Sequence, residues 1–254
     1  MTHTRKFKAR NYAEASTNKI HSDEIARQHG FSGGLVPGVA DYAYLAELVT
    51  DVLGTDWLEH GMLSSKLVRP VYDGDEVTAV AVETSTGVDL ELKDSAGIVC
   101  AIGSASVRHN SDWIVYDRVP PPIQGNKVAP RASSLPQGTL IGSLDFVFET
   151  ASAEKFARDA GTRGIAGFLL SQANEIVILN VDLGPWIHAW STVWNFAIPD
   201  DGEPVSVRGS VIESGEKRGN EMVTLDLTYC GHSEHPIARV HHSAIIRLRT
   251  PAQE

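Results

Sequence analysis

A weak internal repeat limits what this chain of 254 residues can fold into more than any other feature of its sequence. Residues 26–30 (Ala-Arg-Gln-His-Gly) recur as residues 157–161 (Ala-Arg-Asp-Ala-Gly). Residues 73–77 (Asp-Gly-Asp-Glu-Val) recur as residues 201–205 (Asp-Gly-Glu-Pro-Val). Because the two matches keep the same order and almost the same separation, the sequence predicts two similar structural units in one chain.

Each copy is predicted to contain a strand, a short helix, a glycine-rich loop, a long helix and then several strands. Tyr42, Leu45, Val49 and Val52 follow helical spacing, and Gly54 ends that helix. The other predicted helices are residues 22–29, 153–159 and 167–179. The predicted strands are residues 6–11, 67–70, 76–85, 89–93 and 98–108, followed by 139–150, 193–198, 205–214, 222–230 and 237–248.

Two domains follow from this pattern, with a linker between them. The first domain is predicted to cover residues 1–118 and the second residues 139–254. Residues 119–138 are rich in Pro, Gly and Ser, which is typical of a linker.

The charge balance and the cysteines exclude several classes of protein. The net charge is −10 and no basic block is present, which argues against a nucleic-acid partner. No apolar run is long enough for a membrane span or a signal peptide, so neither is expected. Cys100 and Cys230 lie far apart, lack metal-site spacing and are predicted to be buried free thiols, which suits the cytoplasm.

The candidate site lies around the short helix of the first copy. Asn18 and His21 precede that helix, and residues 33–38 (Gly-Gly-Leu-Val-Pro-Gly) form a loop before the long helix. An imidazole can give or take a proton near pH 7, and backbone N–H groups at a helix N-terminus can bind a substrate oxygen. Gly38 is the expected donor, because glycine permits close approach and Pro37 has no N–H. The alternative is that Asn18 only caps a helix and that the glycines only turn the chain.

These residues resemble the motif of the MaoC-like, or hydratase 2, branch of the hotdog-fold superfamily. That motif runs roughly Gly-Asp-x-Asn-Pro-Ile-His, then a short helix and a glycine-rich loop ending in Pro-Gly or His-Gly. Asn18, His21 and Gly38 match it, whereas the family's catalytic Asp falls on Ser16 and its Pro on Lys19. The resemblance implies an α+β double hotdog, in which two antiparallel sheets, joined edge to edge, each wrap around a long central helix to form a pseudo-dimer. The alternative is two independent α+β domains.

The resemblance also implies a function. It implies a hydro-lyase that reversibly hydrates or dehydrates an enoyl or 3-hydroxyacyl thioester, or a related β-hydroxy carbonyl compound. The carrier would be coenzyme A or an acyl carrier protein, with no metal or redox cofactor, and chains would associate as a homodimer. His21 would move the proton, Asn18 would orient the water or hydroxyl, and Gly38 would stabilise the enolate-like oxygen. The second copy carries neither an Asn nor a His at the matching positions, so one pocket per chain is expected, at the groove between the copies, with its catalytic residues in the first domain.

Ser16 cannot act as a carboxylate base, and three explanations stay open. His21 can work with Asn18 alone, a different carboxylate can substitute, or the site can bind an acyl group without hydrating it. Glu14, Asp23 and Asp41 are the candidate carboxylates. Asp41 is favoured because a charge among the apolar residues of the long helix needs a reason, although a solvent-facing acid stabilised by the helix dipole is the alternative.

Further residues are candidates for contacting the substrate. Val36, Tyr42 and Arg69 are expected to bind it, Arg69 through a carboxylate or phosphate, unless Arg69 is a structural partner at a sheet edge. His188 aligns with His60 of the first copy, which predicts a shared structural role. Four aromatic residues of the second copy are candidates to line an acyl tunnel or to pack in the core: Trp186, Trp190, Trp194 and Phe196. A thioesterase, an isomerase, a tailoring dehydratase and a non-catalytic binding protein are the alternative functions.

Overall fold

The computed structural model describes residues 1–123 and 125–249, and within them ten strands form one antiparallel sheet. The strands of the N-terminal half are β1 (Thr2–Lys8), β2 (Met62–Leu67), β3 (Glu76–Glu83), β4 (Val88–Lys93) and β5 (Val99–Ser106). Those of the C-terminal half are β6 (Leu140–Phe148), β7 (Ile187–Asn195), β8 (Glu203–Lys217), β9 (Asn220–Cys230) and β10 (Pro236–Arg247). Their order across the sheet is β1-β3-β4-β5-β2-β7-β10-β9-β8-β6.

This order makes the two halves equivalent. Reading outward from the centre, β2-β5-β4-β3-β1 on one side matches β7-β10-β9-β8-β6 on the other. The halves join through β2 and β7, where Leu63 pairs with Val193 and Ser65 with Ser191. The predicted double hotdog with two sheets joined edge to edge is therefore confirmed.

The α-helices of the described residues are α1 (Asp23–Gln28), α2 (Gly38–Leu53), α3 (Trp57–His60), α4 (Thr150–Ala160) and α5 (Ala166–Asn180). The long helices α2 and α5 pack against each other, and each also packs against the sheet of its own half. Burial along α2 is nearly continuous from Val39 to Val49 because sheet, α5 and α4 surround it. In the described part of the chain, no helix combines the length and apolar character that crossing a membrane requires.

The two central strands are displaced from their predicted positions. The prediction placed them at residues 67–70 and 193–198, whereas β2 and β7 begin several residues earlier. The sequence of β2, Met-Leu-Ser-Ser-Lys-Leu, has no β-branched or aromatic residue, so it carries little strand propensity. It is a strand because β5 and β7 pair with it on both sides, with Leu63 and Ser65 buried.

The segment between the two halves lies against the C-terminal half. Between β5 and β6 the described residues form a short 3-10 turn, Ala132–Ser134, and otherwise irregular backbone. Tyr116 donates a hydrogen bond of 2.7 Å to Asp226 Oδ2 on β9, and Val128 bridges to Val181 after α5. Gln124 of the predicted linker, and residues 250–254 of the predicted second domain, lie outside the described residues.

A buried carboxylate on α2 ties the two halves together. The Glu47 side chain is only 5% exposed and forms ion pairs with Arg5 on β1 and Arg163 after α4. The backbone N–H of Arg163 also donates to Glu47 Oε2 at 2.7 Å. One carboxylate therefore binds cations from both halves.

Replacing Glu47 by Gln is expected to lower the free energy of unfolding by about 1–3 kcal/mol, the usual effect of losing buried charge-assisted hydrogen bonds. The loss stays moderate because Arg163 is largely exposed and can be rehydrated. Urea denaturation followed by circular dichroism measures it, and Glu59→Gln, at an exposed position on α3, is the matched control. Equal stabilities of the two variants would show that the cluster contributes nothing.

Candidate active site

A cavity of about 240 Å³ lies where the two halves meet. The loop before α2, the first turn of α2 and the end of β2 line one side of it, and α5 and β7 line the other. Its apolar side chains include Ile20, Phe31, Leu35, Val36, Leu67, Val71, Ile187 and Ile245. Its polar ones are Asn18, His21, Asp41, Arg69, Asn174 and His188. The volume exceeds that of a cavity that holds benzene, about 150 Å³, so a short acyl group fits.

Two contacts fix the orientation and tautomer of His21. Its Nδ1 lies 2.7 Å from the Leu35 carbonyl oxygen, which can only accept, so Nδ1 carries the proton. Its Nε2 lies 3.3 Å from Asn18 Nδ2, which donates to it. Burial lowers the pKa of His21 more than the Leu35 hydrogen bond raises it, so the ring is neutral near pH 7 and Nε2 is unprotonated.

Asn18 connects this motif to the C-terminal half. Its Oδ1 accepts from the N–H groups of Ile20, at 3.3 Å, and Trp186, at 3.2 Å. Its Nδ2 donates to the Trp186 carbonyl at 3.0 Å as well as to His21. The capping interpretation is therefore correct for the 3-10 turn Lys19–His21, while the same amide also holds the imidazole. Both of its hydrogens are engaged, which leaves none for a water molecule.

Gly38 begins α2 at the wall of the cavity. A Cβ at this position would overlap Leu67 Cδ1 and would lie 3.0 Å from His188 Nδ1, so only glycine fits without displacement. Its N–H belongs to the first turn of α2, where backbone donors have no partner within the helix. The arrangement allows a substrate oxygen to approach this N–H closely.

Of the three candidate carboxylates, only Asp41 lines the cavity. Glu14 and Asp23 are exposed, and Asp23 accepts from the Gly34 N–H at 2.8 Å and pairs with Arg27. Asp41 is 3% exposed, so it does not face solvent, and its Oδ1 has no hydrogen-bond partner among the described residues. Burial raises the pKa of Asp41 well above its usual value, which favours the neutral, protonated carboxyl.

The remaining predicted contacts divide into those at the cavity and one in the core. Val36 and Arg69 both line the cavity, Val36 buried and Arg69 exposed at its edge. Tyr42 is a correction: it is fully buried in the hydrophobic core and does not line the cavity. It points away because neighbouring helical residues lie about 100° apart around the axis, and Asp41 takes the cavity side.

Two polar residues of the C-terminal half were missed as site residues. His188 on β7 is 4% exposed, and its Nδ1 forms no hydrogen bond with any described residue. Asn174 on α5 likewise has an Oδ1 without a described partner. His60 is exposed at the end of α3, so the structural role predicted for the pair His60 and His188 is not shared. The sequence signal that could have identified His188 and Asn174 is a polar residue within an apolar segment, the same signal that singled out Asp41.

The aromatic residues predicted for an acyl tunnel occupy different places. Trp186 lines the cavity and is 3% exposed. Trp194 packs edge-on against His241, and Phe196 packs against His109 and Trp113. Among the described residues, no group of three His, Cys, Asp or Glu side chains is placed to hold a metal ion.

No family model matches the sequence, and no curated protein matches it. Solved structures do match. A protein from Chloroflexus aurantiacus J-10-fl, named as a MaoC domain dehydratase, is 10% identical with a TM-score of 0.67, over 98% of this chain and 95% of that one. A conserved hypothetical protein with a double hotdog fold from Mycobacterium tuberculosis is 11% identical with a TM-score of 0.62, over 96% and 95%. A protein from Lactobacillus plantarum, named as an oleoyl thioesterase, is 13% identical with a TM-score of 0.54, over 99% and 98%.

The chain is thus structurally similar to MaoC-like dehydratases and other double-hotdog proteins along almost its whole length. At these identities the similarity shows the fold alone, and the chemistry must be argued from the cavity.

Proposed function

We propose that this chain is a hydro-lyase that interconverts a short 3-hydroxyacyl thioester and the corresponding enoyl thioester. One observation supports this most strongly: the neutral imidazole of His21, with an unprotonated Nε2, and the protonated carboxyl of Asp41 line the same small apolar cavity. Dehydration needs a base for the proton at C2 and an acid for the departing hydroxyl at C3, and His21 and Asp41 have these two protonation states.

In the dehydration direction, His21 Nε2 removes the proton from C2. As the C2–H bond breaks, negative charge develops on the thioester oxygen, and the Gly38 N–H donates to that oxygen. The electron pair then forms the C2–C3 double bond and expels the hydroxyl, which takes the Asp41 proton and leaves as water. Hydration is the reverse, with the transferable proton starting on His21 Nε2. His21 Nε2 and the Asp41 carboxyl together hold one transferable proton in both directions, and only its position differs.

Asp41 takes over the role that the motif gives to the residue at position 16. Ser16 is half-exposed and its hydroxyl donates to the Asn18 carbonyl, so it contributes no acid or base. Asn18 acts as a positioning residue, because its amide is saturated by Trp186, Ile20 and His21. Its contact with Nε2 is long, at 3.3 Å, and gives way readily to a substrate C–H.

The carrier is proposed to be coenzyme A or an acyl carrier protein. Arg69 is exposed at the edge of the cavity, where its guanidinium can bind the phosphates of either carrier.

We place the chain in the cytoplasm, where such thioesters are used and where the buried free thiols Cys100 and Cys230 also stay reduced. We expect pairs of chains to form a homodimer, which sedimentation would detect as a doubled mass.

We expect His21→Ala and Asp41→Asn each to reduce kcat/KM about 10²- to 10⁴-fold, because each removes one partner of the proton transfer. The assay follows the conjugated absorbance of crotonyl-CoA as it is lost to hydration, or gained from 3-hydroxybutyryl-CoA. Glu14→Gln, at an exposed carboxyl, is the matched control.

A thiol reagent in the same cuvette separates hydration from hydrolysis, because only hydrolysis releases free coenzyme A. Full activity in Asp41→Asn would disprove the role of Asp41, and thiol release instead of hydration would indicate a thioesterase.

The pH profile of kcat/KM is expected to be bell-shaped with a plateau through neutral pH. The acid limb reflects protonation of His21, whose pKa burial lowers, so activity persists below the usual histidine pKa of about 6.5. The alkaline limb reflects deprotonation of Asp41, whose pKa burial raises, so activity falls only well above the usual aspartate pKa. The variant Asp41→Asn should lose the alkaline limb from its residual activity, and a native profile that only rises with pH would contradict this assignment.

Replacing Arg69 by Gln should raise KM for crotonyl-CoA about two- to fivefold and leave kcat nearly unchanged, since an exposed ion pair contributes up to about 1 kcal/mol. The effect should shrink at high salt. Crotonyl-pantetheine, which has no phosphate, is the internal control, and an equal rise in its KM would show that Arg69 does not bind the carrier phosphates.

A further inference from the structure

A second set of buried polar side chains lies behind the cavity, and the proposed reaction does not use it. His188 Nε2 is 2.8 Å from Ser191 Oγ, and Ser191 Oγ is 2.9 Å from His242 Nδ1. His188 and Ser191 belong to β7, and His242 lies on the adjacent strand β10. Their exposed fractions are 4%, 0% and 0%, so water does not reach this chain of hydrogen bonds.

Only two arrangements of protons satisfy both contacts. Burial lowers the pKa of His188 to about 4 and that of His242 well below its usual value, so both rings are neutral near pH 7. The single hydroxyl proton of Ser191 can be donated to one histidine, and the other histidine must then donate to Ser191 Oγ. In the first arrangement His188 carries its proton on Nδ1, and in the second it carries it on Nε2.

The two free ends of this hydrogen-bond chain decide between them. His188 Nδ1 and His242 Nε2 are both buried and have no hydrogen-bond partner among the described residues, so each arrangement leaves one N–H without an acceptor in the protein. That N–H is on His242 in the second arrangement and on His188 in the first. His188 lines the cavity, where a substrate oxygen can accept from it, whereas His242 does not line the cavity. A substrate in the cavity therefore favours the tautomer in which His188 presents Nδ1–H.

This Nδ1 lies at the same point of the cavity wall as Gly38. It has no described hydrogen-bond partner, and it is 3.0 Å from where a Cβ of residue 38 would lie. The imidazole of His188 and the first residue of α2 therefore adjoin on the cavity wall, as a carbonyl oxygen that accepts from both would require. The two donors come from different halves of the chain, one from α2 and the other from β7.

We propose that His188 donates its Nδ1–H to the thioester carbonyl oxygen beside the Gly38 N–H, so that the C-terminal half completes the oxyanion-binding site. The proposal rests on the function proposed above, since it assigns a second catalytic residue to that reaction. Ser191 and His242 are positioning residues, because they hold the tautomer and do not touch the substrate. A neutral imidazole suits this task, since it stabilises the developing oxyanion without giving up its proton.

The first test measures the bound carbonyl directly, with a substrate analogue that cannot be hydrated. Butyryl-CoA labelled with ¹³C at the thioester carbonyl is bound to the native chain, and isotope-edited infrared spectroscopy records its C=O stretch. Two donors should shift the band to lower wavenumber than in water. His188→Leu should reverse much of that shift and lower kcat/KM for crotonyl-CoA about 10²- to 10³-fold. His188→Gln, whose amide can donate a hydrogen bond, should retain part of the band shift and part of kcat/KM.

The outcomes separate this inference from the proposed function. An unchanged band in a folded His188→Leu variant that still hydrates crotonyl-CoA would overturn the role of His188 alone. A His188-dependent band shift without any hydration would support the subsite and overturn the hydro-lyase. Failure of the native chain to bind butyryl-CoA would overturn both.

A second measurement needs no folded variant at position 188. Long-range ¹H–¹⁵N correlation spectra of the uniformly labelled native chain distinguish the two histidine tautomers. With butyryl-CoA bound, the signals of His188 should be those of the Nδ1–H tautomer, and Ser191→Ala, which removes the bridging hydroxyl, should mix the two forms. An Nε2–H tautomer in the butyryl-CoA complex of the native chain would overturn the proposal.

Discussion

The pairing of β2 with β7 is the constraint on which the rest of this structure depends. Each half alone would leave its central strand as an open edge, with a row of backbone donors and acceptors exposed to water. Pairing satisfies those groups and brings α2 and α5 together. It also places β7 beside the loop before α2, so that Asn18 can bind the backbone of Trp186 and His188 can lie next to Gly38. The cavity is a product of this junction and belongs to neither half.

Burial at the junction sets the protonation state of every titratable group that the proposed chemistry uses. Removal from water disfavours the charged form, which lowers the pKa of a histidine and raises that of an aspartate. The same physical effect therefore makes His21 a base with an unprotonated nitrogen, Asp41 an acid and His188 a neutral hydrogen-bond donor. Direct contacts then assign the protons, since Leu35 fixes the tautomer of His21 and Ser191 links His188 to His242.

How far the sequence predicts this structure depends on whether the signal is local. Helical periodicity located the end of α2 and both ends of α5 to within a residue or two, and the matched segments at residues 73–77 and 201–205 do contain the starts of β3 and β8. The central strands were misplaced because pairing, and not propensity, makes them strands. The motif located Asn18, His21 and Gly38 at the cavity, while Tyr42 was assigned to the wrong face of its helix. The apolar segment around His188 marks it as a buried polar residue, but its role depends on which residue the other half brings against it.

The location of the carboxyl explains why it can serve as an acid. A carboxylate at position 16 would be half-exposed and would ionise near its usual pKa. At position 41 two effects compete, because the N-terminus of α2 favours a negative charge and burial disfavours it. The helix dipole contributes about 0.3–1 kcal/mol, which is less than one pKa unit, whereas full burial shifts a carboxyl by up to about 3–5 units. Burial therefore dominates at Asp41, the carboxyl keeps its proton, and the part of the base is left to His21.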